Sequence, residues 1–151
     1  MSISKQLNMG RAGEYLVLAE LLLKGYQAFD SGQGANYDLI MENKNGKLLK
    51  VQVKTTETIK TWKSSYQKSQ KSYFFHIKRS GKNGVKKYTE SDFDLYALVM
   101  LDTKKIAYLP NINIKSESIT LRDKNLIYYN EQKARYYQDL TLEKALEVLD
   151  V

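Results

Sequence analysis

The chain of 151 residues has no cysteine, a single histidine and a single proline. Without cysteine there are no disulfides, thiolate zinc sites or cysteine nucleophiles. With His76 alone, sites built from several imidazoles and two-histidine catalysis are excluded as well. Any metal must then be held mainly by oxygen, which favours magnesium, with manganese as a substitute. No apolar run approaches the length of a membrane span. The N-terminus lacks a charged-then-apolar signal pattern, so an intracellular, cytoplasmic protein with no membrane partner is expected. The length fits one domain over residues 1–151, large enough for a real core.

Acidic residues are almost missing from one block. Residues 43–89 hold 13 Lys/Arg and a single acid, Glu57, for a net charge of +12, whereas the rest of the chain nets −5. A uniform +7 would serve solubility, but a block of this kind suggests a positive face for a polyanion. The block reads as hairpins rather than as an amphipathic helix, which favours nucleic acid over a lipid surface.

Residues 7–24 carry a helical pattern, with Leu7, Ala12, Tyr15, Leu16, Ala19, Leu22 and Leu23 recurring at three and four and Gly25 as a stop. Val17, Leu18 and Leu21 form a second apolar stripe, and Glu14 falls beside it. A carboxylate there is expensive unless it meets a cation; a glutamate favoured by the helix N-terminal dipole fits equally well. Gly10 and Gly13 permit close approach of another backbone or a phosphate.

A short strand over 26–29 and a glycine-rich loop over 30–36 lead to Tyr37-Asp38-Leu39-Ile40. Asn43-Lys44-Asn45-Gly46 then reads as a hairpin turn into Lys50-Val51-Gln52-Val53-Lys54. Leu49, Val51 and Val53 share one face of that strand, and Lys50, Gln52 and Lys54 share the other. The hairpin brings Asp38 near Gln52 and Lys54, a set of oxygen ligands and a cation that suits metal-dependent phosphodiester chemistry. A hairpin with one solvated face carries the same pattern.

Residues 58–71 are polar, with Trp62 and Tyr66 among the lysines. A strand over 73–78, a turn over 80–84 and a returning strand over 85–89 are expected to form a basic hairpin. It suits a DNA-contacting ribbon, or else an edge strand kept soluble by lysine. His76, between Phe75 and Ile77, reads as a packed strand residue. Strands are expected over 93–101 and 105–109, an edge strand over 112–121, and a final helix capped by Thr141 with Leu142, Ala145, Leu146 and Leu149 on the core.

A helix with Glu14, a strand with Asp38 and a strand with Gln52-Val53-Lys54 together resemble the PD-(D/E)XK nuclease superfamily. The likeness runs over residues 10–56, and residues 92–110 look like the strands that complete that core. Gly10-Arg11-Ala12-Gly13-Glu14-Tyr15 and Gln52-Val53-Lys54-Thr55 are most similar to intron-encoded homing endonucleases of this fold; archaeal Holliday-junction resolvases have a similar opening. The resemblance implies an α/β fold: a restriction-endonuclease-like core with an N-terminal helix, a central mixed β-sheet, flanking helices and the added basic hairpin. It implies Asp38 as the main metal-binding carboxylate, Lys54 as the motif lysine, Glu14 as the supplementary helix glutamate, and the Val53 carbonyl as a further ligand. Gln52 stands where the superfamily usually has Asp or Glu. An amide brings no charge, so such a site holds magnesium weakly until a phosphate arrives.

The expected activity is divalent-metal-dependent, site-specific cleavage of double-stranded DNA, of the homing type, by a homodimer or homotetramer. A junction-resolving nuclease of the same fold and an inactive DNA-binding relative are the alternatives. The expected DNA contacts are Arg11, Ser31, Gln33, Asn36, Lys60, Lys63, Lys78, Arg79, Lys82, Lys86 and Lys87.

Overall fold

A computed structural model describes residues 2–32, 34–64, 67–81, 84–86, 89–129 and 133–151, with backbone alone at 64, 67, 68, 79–81 and 84–86. The fold is mixed α/β, in three layers. Helix α1 spans Ile3–Leu23, followed by β1 (Gln27–Asp30), β2 (Leu39–Glu42) and β3 (Leu48–Thr56). Next come β4 (Lys60–Ser64), β5 (Gln67–His76), β6 (Arg79–Gly81) and β7 (Gly84–Lys86). Strands β8 (Leu95–Met100), β9 (Lys105–Pro110), β10 (Ser118–Arg122) and β11 (Arg135–Tyr136) precede a 3₁₀ turn and α2 (Leu142–Val148).

The central sheet has the order β1-β2-β3-β8-β9, and a second sheet has the order β11-β10-β5-β4. All pairs in the central sheet are antiparallel except β3 with β8. Strand β8 is buried along its whole length because both of its faces meet core. Leu95, Ala97 and Val99 pack with Val17 and Leu21 of α1 and Leu142 and Ala145 of α2. Tyr96, Leu98 and Met100 pack with Tyr73, Phe75, Ile119 and Leu121 of the second sheet. The central sheet is thus covered by helices on one side and by the second sheet on the other.

Helix α1 begins earlier than its apolar periodicity implies, because the Ser2 side chain accepts a hydrogen bond from Lys5 N at 3.2 Å and caps the first turn. It ends in a Schellman motif. Gly25 at φ 91 lets Tyr26 N donate to Leu21 O and its own N–H donate to Leu22 O, each at 3.0 Å. The buried stripe is Gly13, Val17 and Leu21, the one beside Glu14. The longer stripe read from sequence points outward, with Leu7, Tyr15, Leu22 and Leu23 all exposed. Both stripes satisfy helical spacing, and only the docking of α1 on β3 selects one.

Three expected strand arrangements differ in the structure. The polar segment after residue 58 is β4, paired with β5. The return strand of the basic hairpin pairs only β6 with β7 over three residues each, while β5 takes β4 and β10 as partners. Strand β10 is not an edge, since it lies between β5 and β11. The Asn-Gly turn forms as expected: Asn43 Oδ1 accepts from Asn45 N and Lys47 N, and Gly46 takes φ 85.

Candidate active site

Asp38 sits where β2 begins, and its backbone is fixed from both sides. Its N–H donates to Val51 O at 2.9 Å, and its carbonyl accepts from Ser31 N at 3.0 Å. The carboxylate is anchored too, because Oδ2 accepts from Val53 N at 2.8 Å. In an extended strand the N–H and C=O of one residue point to the same side. Val53 therefore directs its carbonyl to the side where its N–H meets Asp38, just beyond the end of β2.

Glu14 reaches the same place from α1. A Cβ on Gly13 would stand 2.0 Å from Thr55 Oγ1, so glycine is what allows the helix to lie this close to β3. Gly10, one turn earlier, meets no such obstacle and lines the cavity instead. That cavity, of about 510 Å³, is walled by Glu14, Asp38, Gln52, Val53 and Lys54 on one side and by Lys60, Phe74 and His76 on the other. It lies where the polar face of β3 meets the outer side chains of β5. A second cavity of about 560 Å³ continues past Glu14 and Asp38 to Arg11, Asp30 and Ser31.

The site gathers part-buried charges of both signs. Burial, with the charges of Asp38 and Asp30, pushes the Glu14 carboxyl up to about 7, while Arg11 opposes the shift. Burial also raises Asp38, against the pull of the Val53 N–H and of Lys54. Lys54 is lowered by burial and raised by Asp38. Gln52 is only 7 % exposed, so its amide is committed to the cavity wall rather than to solvent.

These donors suit a hard divalent cation: two carboxylates, an amide oxygen and a backbone carbonyl, all oxygen. Among the described residues no three carboxylate or imidazole groups gather to hold a metal. The set is therefore low in charge, and a phosphate oxygen would complete it.

The expected DNA contacts are divided by the structure. Lys60 lines the cavity with its Nζ 5.4 Å from the Phe74 ring centroid, and Lys63 is exposed. Arg11 is exposed and donates to Tyr15 Oη at 3.3 Å. Lys78 forms an ion pair with Glu117. Ser31 donates to Tyr37 O at 2.6 Å, and Asn36 donates to Asp92 Oδ1 at 3.1 Å, so both brace the loop. Gln33, Lys82 and Lys87 lie outside the described residues, as do the side chains of Arg79 and Lys86.

His76 corrects its sequence reading. It is exposed on the cavity wall, its ring edge-on to Phe74 with centroids 4.7 Å apart. The alternation of Tyr73, Phe75 and Ile77 already marked the opposite face of β5 as core, and that signal places His76 and Phe74 outward. Asp30 likewise carries only a loop signal in the sequence, although the β1–β2 register sets it against Leu39, next to Asp38.

The profile of the PD-(D/E)XK endonuclease family matches residues 4–142. The chain belongs to that family and is a nuclease, and nucleases of this class generally use divalent cations. Among solved structures it is similar to a bacterial homing endonuclease, I-Ssp6803I, with a TM-score of 0.64 and 19% identity over 99% of this chain and 95% of that one. No curated protein matches the chain.

Proposed function

We propose that this protein is a site-specific endonuclease of double-stranded DNA, of the homing type, dependent on magnesium with manganese as a substitute. The observation that carries the reading is the convergence of Glu14, Asp38, Gln52, Val53 and Lys54 on one cavity from three separate elements. Structural likeness to a homing endonuclease over nearly the whole chain supports it. So does the +12 block, whose Lys60 and Lys63 stand on β4 beside the site.

Asp38, Glu14, the Gln52 amide and the Val53 carbonyl would hold the cation. When bound, it supplies Lewis-acid polarisation of the phosphate and a lowered pKa for water. The Lys54 ammonium orients the attacking water and offsets charge that builds on the phosphoryl oxygens as one P–O bond forms and the other breaks. Gln52 adds no charge of its own, so metal and substrate bind with mutual support. Two strands require two such sites, and the protein acts as a homodimer or homotetramer. Among the described residues no helix is long and apolar enough to cross a membrane.

The test is incubation of a randomised duplex library with the protein and magnesium, followed by sequencing of cut ends. Recurrent cuts around one long sequence are expected, and EDTA should abolish them. Cutting confined to four-way junctions would replace the homing reading, and binding with no cutting in either metal would end the enzyme claim.

A further inference from the structure

The second sheet has an outer face that the catalytic reading leaves unused. Tyr73, Phe75, Ile119 and Leu121 turn into the core, so the alternate residues turn outward. Register places Ser118 beside His76 and Thr120 beside Phe74. On the other side of β5, the Trp62 ring packs edge-on to Phe74 at 5.8 Å. The face therefore runs without interruption from the cavity wall across β10.

At its far side lies a second cleft, of about 280 Å³, lined by Ser118, Thr120, Arg122, Lys133, Ala134 and Arg135. Three cations and two hydroxyls line it, and among the described residues no carboxylate does. Arg122 is preorganised, with its guanidinium carbon 4.5 Å from the Tyr128 ring centroid. Cations with hydroxyl donors are the usual ligands of a phosphodiester. All three cations lie outside the +12 block, in the part of the chain whose net charge is −5, so charge counting gives no hint of this cleft.

We infer that this cleft is a second, non-catalytic binding site for a backbone phosphate of the same duplex that enters the cavity. The inference rests on the endonuclease reading. Two strand spacings separate β5 from β11, roughly 10 Å, which corresponds to about three base-pair steps along the axis of a duplex. A duplex lying on the aromatic face would enter the catalytic cavity at one end and be held by the cleft at the other. The cleft fixes position and carries no sequence information.

The test removes the two exposed cations together, Lys133→Gln with Arg135→Gln, and measures duplex affinity over a range of salt concentrations. Each lost phosphate contact lowers the slope of log K against log salt by about 0.9. A slope reduced by about 1 to 2, a roughly tenfold weaker Kd near physiological salt and an unchanged cleavage rate at saturating DNA are expected. Lys24→Gln with Lys104→Gln, of equal charge change, should leave the slope where it was. An unchanged slope in the first variant, an equal loss in the second, or a collapse of cleavage at saturating DNA would each overturn the inference. Wild-type protein that binds duplex but never cuts it removes the endonuclease reading and still lets the slope decide the cleft. Wild-type protein that cuts while the first variant keeps its slope removes the cleft alone. Failure of the wild type to bind any duplex removes both.

Discussion

Strands β3 and β5 wall the same cavity, yet they present different kinds of group to it. On β3, Gln52 and Lys54 come off a strand whose opposite face is core, and burial moves the proton affinities of both Lys54 and its neighbour Asp38. On β5, Phe74 and His76 also come off a strand whose opposite face is core, but His76 is exposed and the pair offers ring surfaces. The β3 wall lies inside the central sheet, between β2 and β8, and faces β5 across the cavity, while α1 covers its opposite face. The β5 wall has only β4 and β10 beside it in its own sheet. The difference teaches how the proposed reading divides the cavity: the part-buried ionisable groups gather around β3, at Lys54, Asp38 and Glu14, and the ring surfaces gather on β5.

The sharpest way to break this contrast is Lys54→Ala. If Lys54 serves the reacting phosphate as proposed, its loss should lower the cleavage rate by about 10²–10³-fold, while duplex affinity changes by less than about tenfold. Single-turnover cleavage and equilibrium binding measure the two separately. If affinity collapses instead, Lys54 is a binding residue only.

Next in size is Gly13→Ala. In an ordinary helix this change stabilises by about 1 kcal/mol. Here the new methyl would stand 2.0 Å from Thr55 Oγ1, and overpacking of that kind costs about 1–3 kcal/mol. Denaturant unfolding should show the loss, and adding Thr55→Ala should recover most of it. A stabilised single variant would mean that α1 does not press on β3.

A smaller effect follows from Glu14. Its carboxyl titrates near 4.5 in the unfolded chain and is pushed up to about 7 in the folded protein. Between those values the folded state holds more protons, so the stability of the cation-free protein falls as pH rises across the window. Melting temperatures in EDTA should show Glu14→Gln level with the wild type near pH 4 and more stable above about pH 7. Parallel curves would show that water screens Glu14 as fully as a surface group.

The smallest expected change belongs to His76→Ala. Loss of this exposed ring on the cavity wall should weaken duplex binding by a few-fold, about 1 kcal/mol at most, and leave cleavage at saturating DNA nearly intact. A loss comparable to that of Lys54→Ala would move chemistry onto β5.

Much of this contrast was legible in the sequence for local reasons. The Asn-Gly turn fixed the β2–β3 pairing, and the strict alternation in β3 put Gln52 and Lys54 together. Thr141 and Gly25 marked helix boundaries through capping geometry that needs only neighbouring residues. The α1 pattern was ambiguous because two stripes satisfy one period, and β4 was hidden because an exposed polar strand carries no apolar alternation. His76 was misplaced although its neighbours held the correct parity.

What the sequence alone determined is therefore the Asp38–Lys54 hairpin, the helix with Glu14 and the basic block, because each is set by contacts a few residues apart. Only the tertiary structure decided that Gly13 presses on Thr55, that Glu14 meets Asp38 and Asp30, and that Arg122, Lys133 and Arg135 share a cleft. These depend on which faces the three layers bury against one another. That choice is made by packing many apolar side chains at once, and no single stretch of the chain contains it.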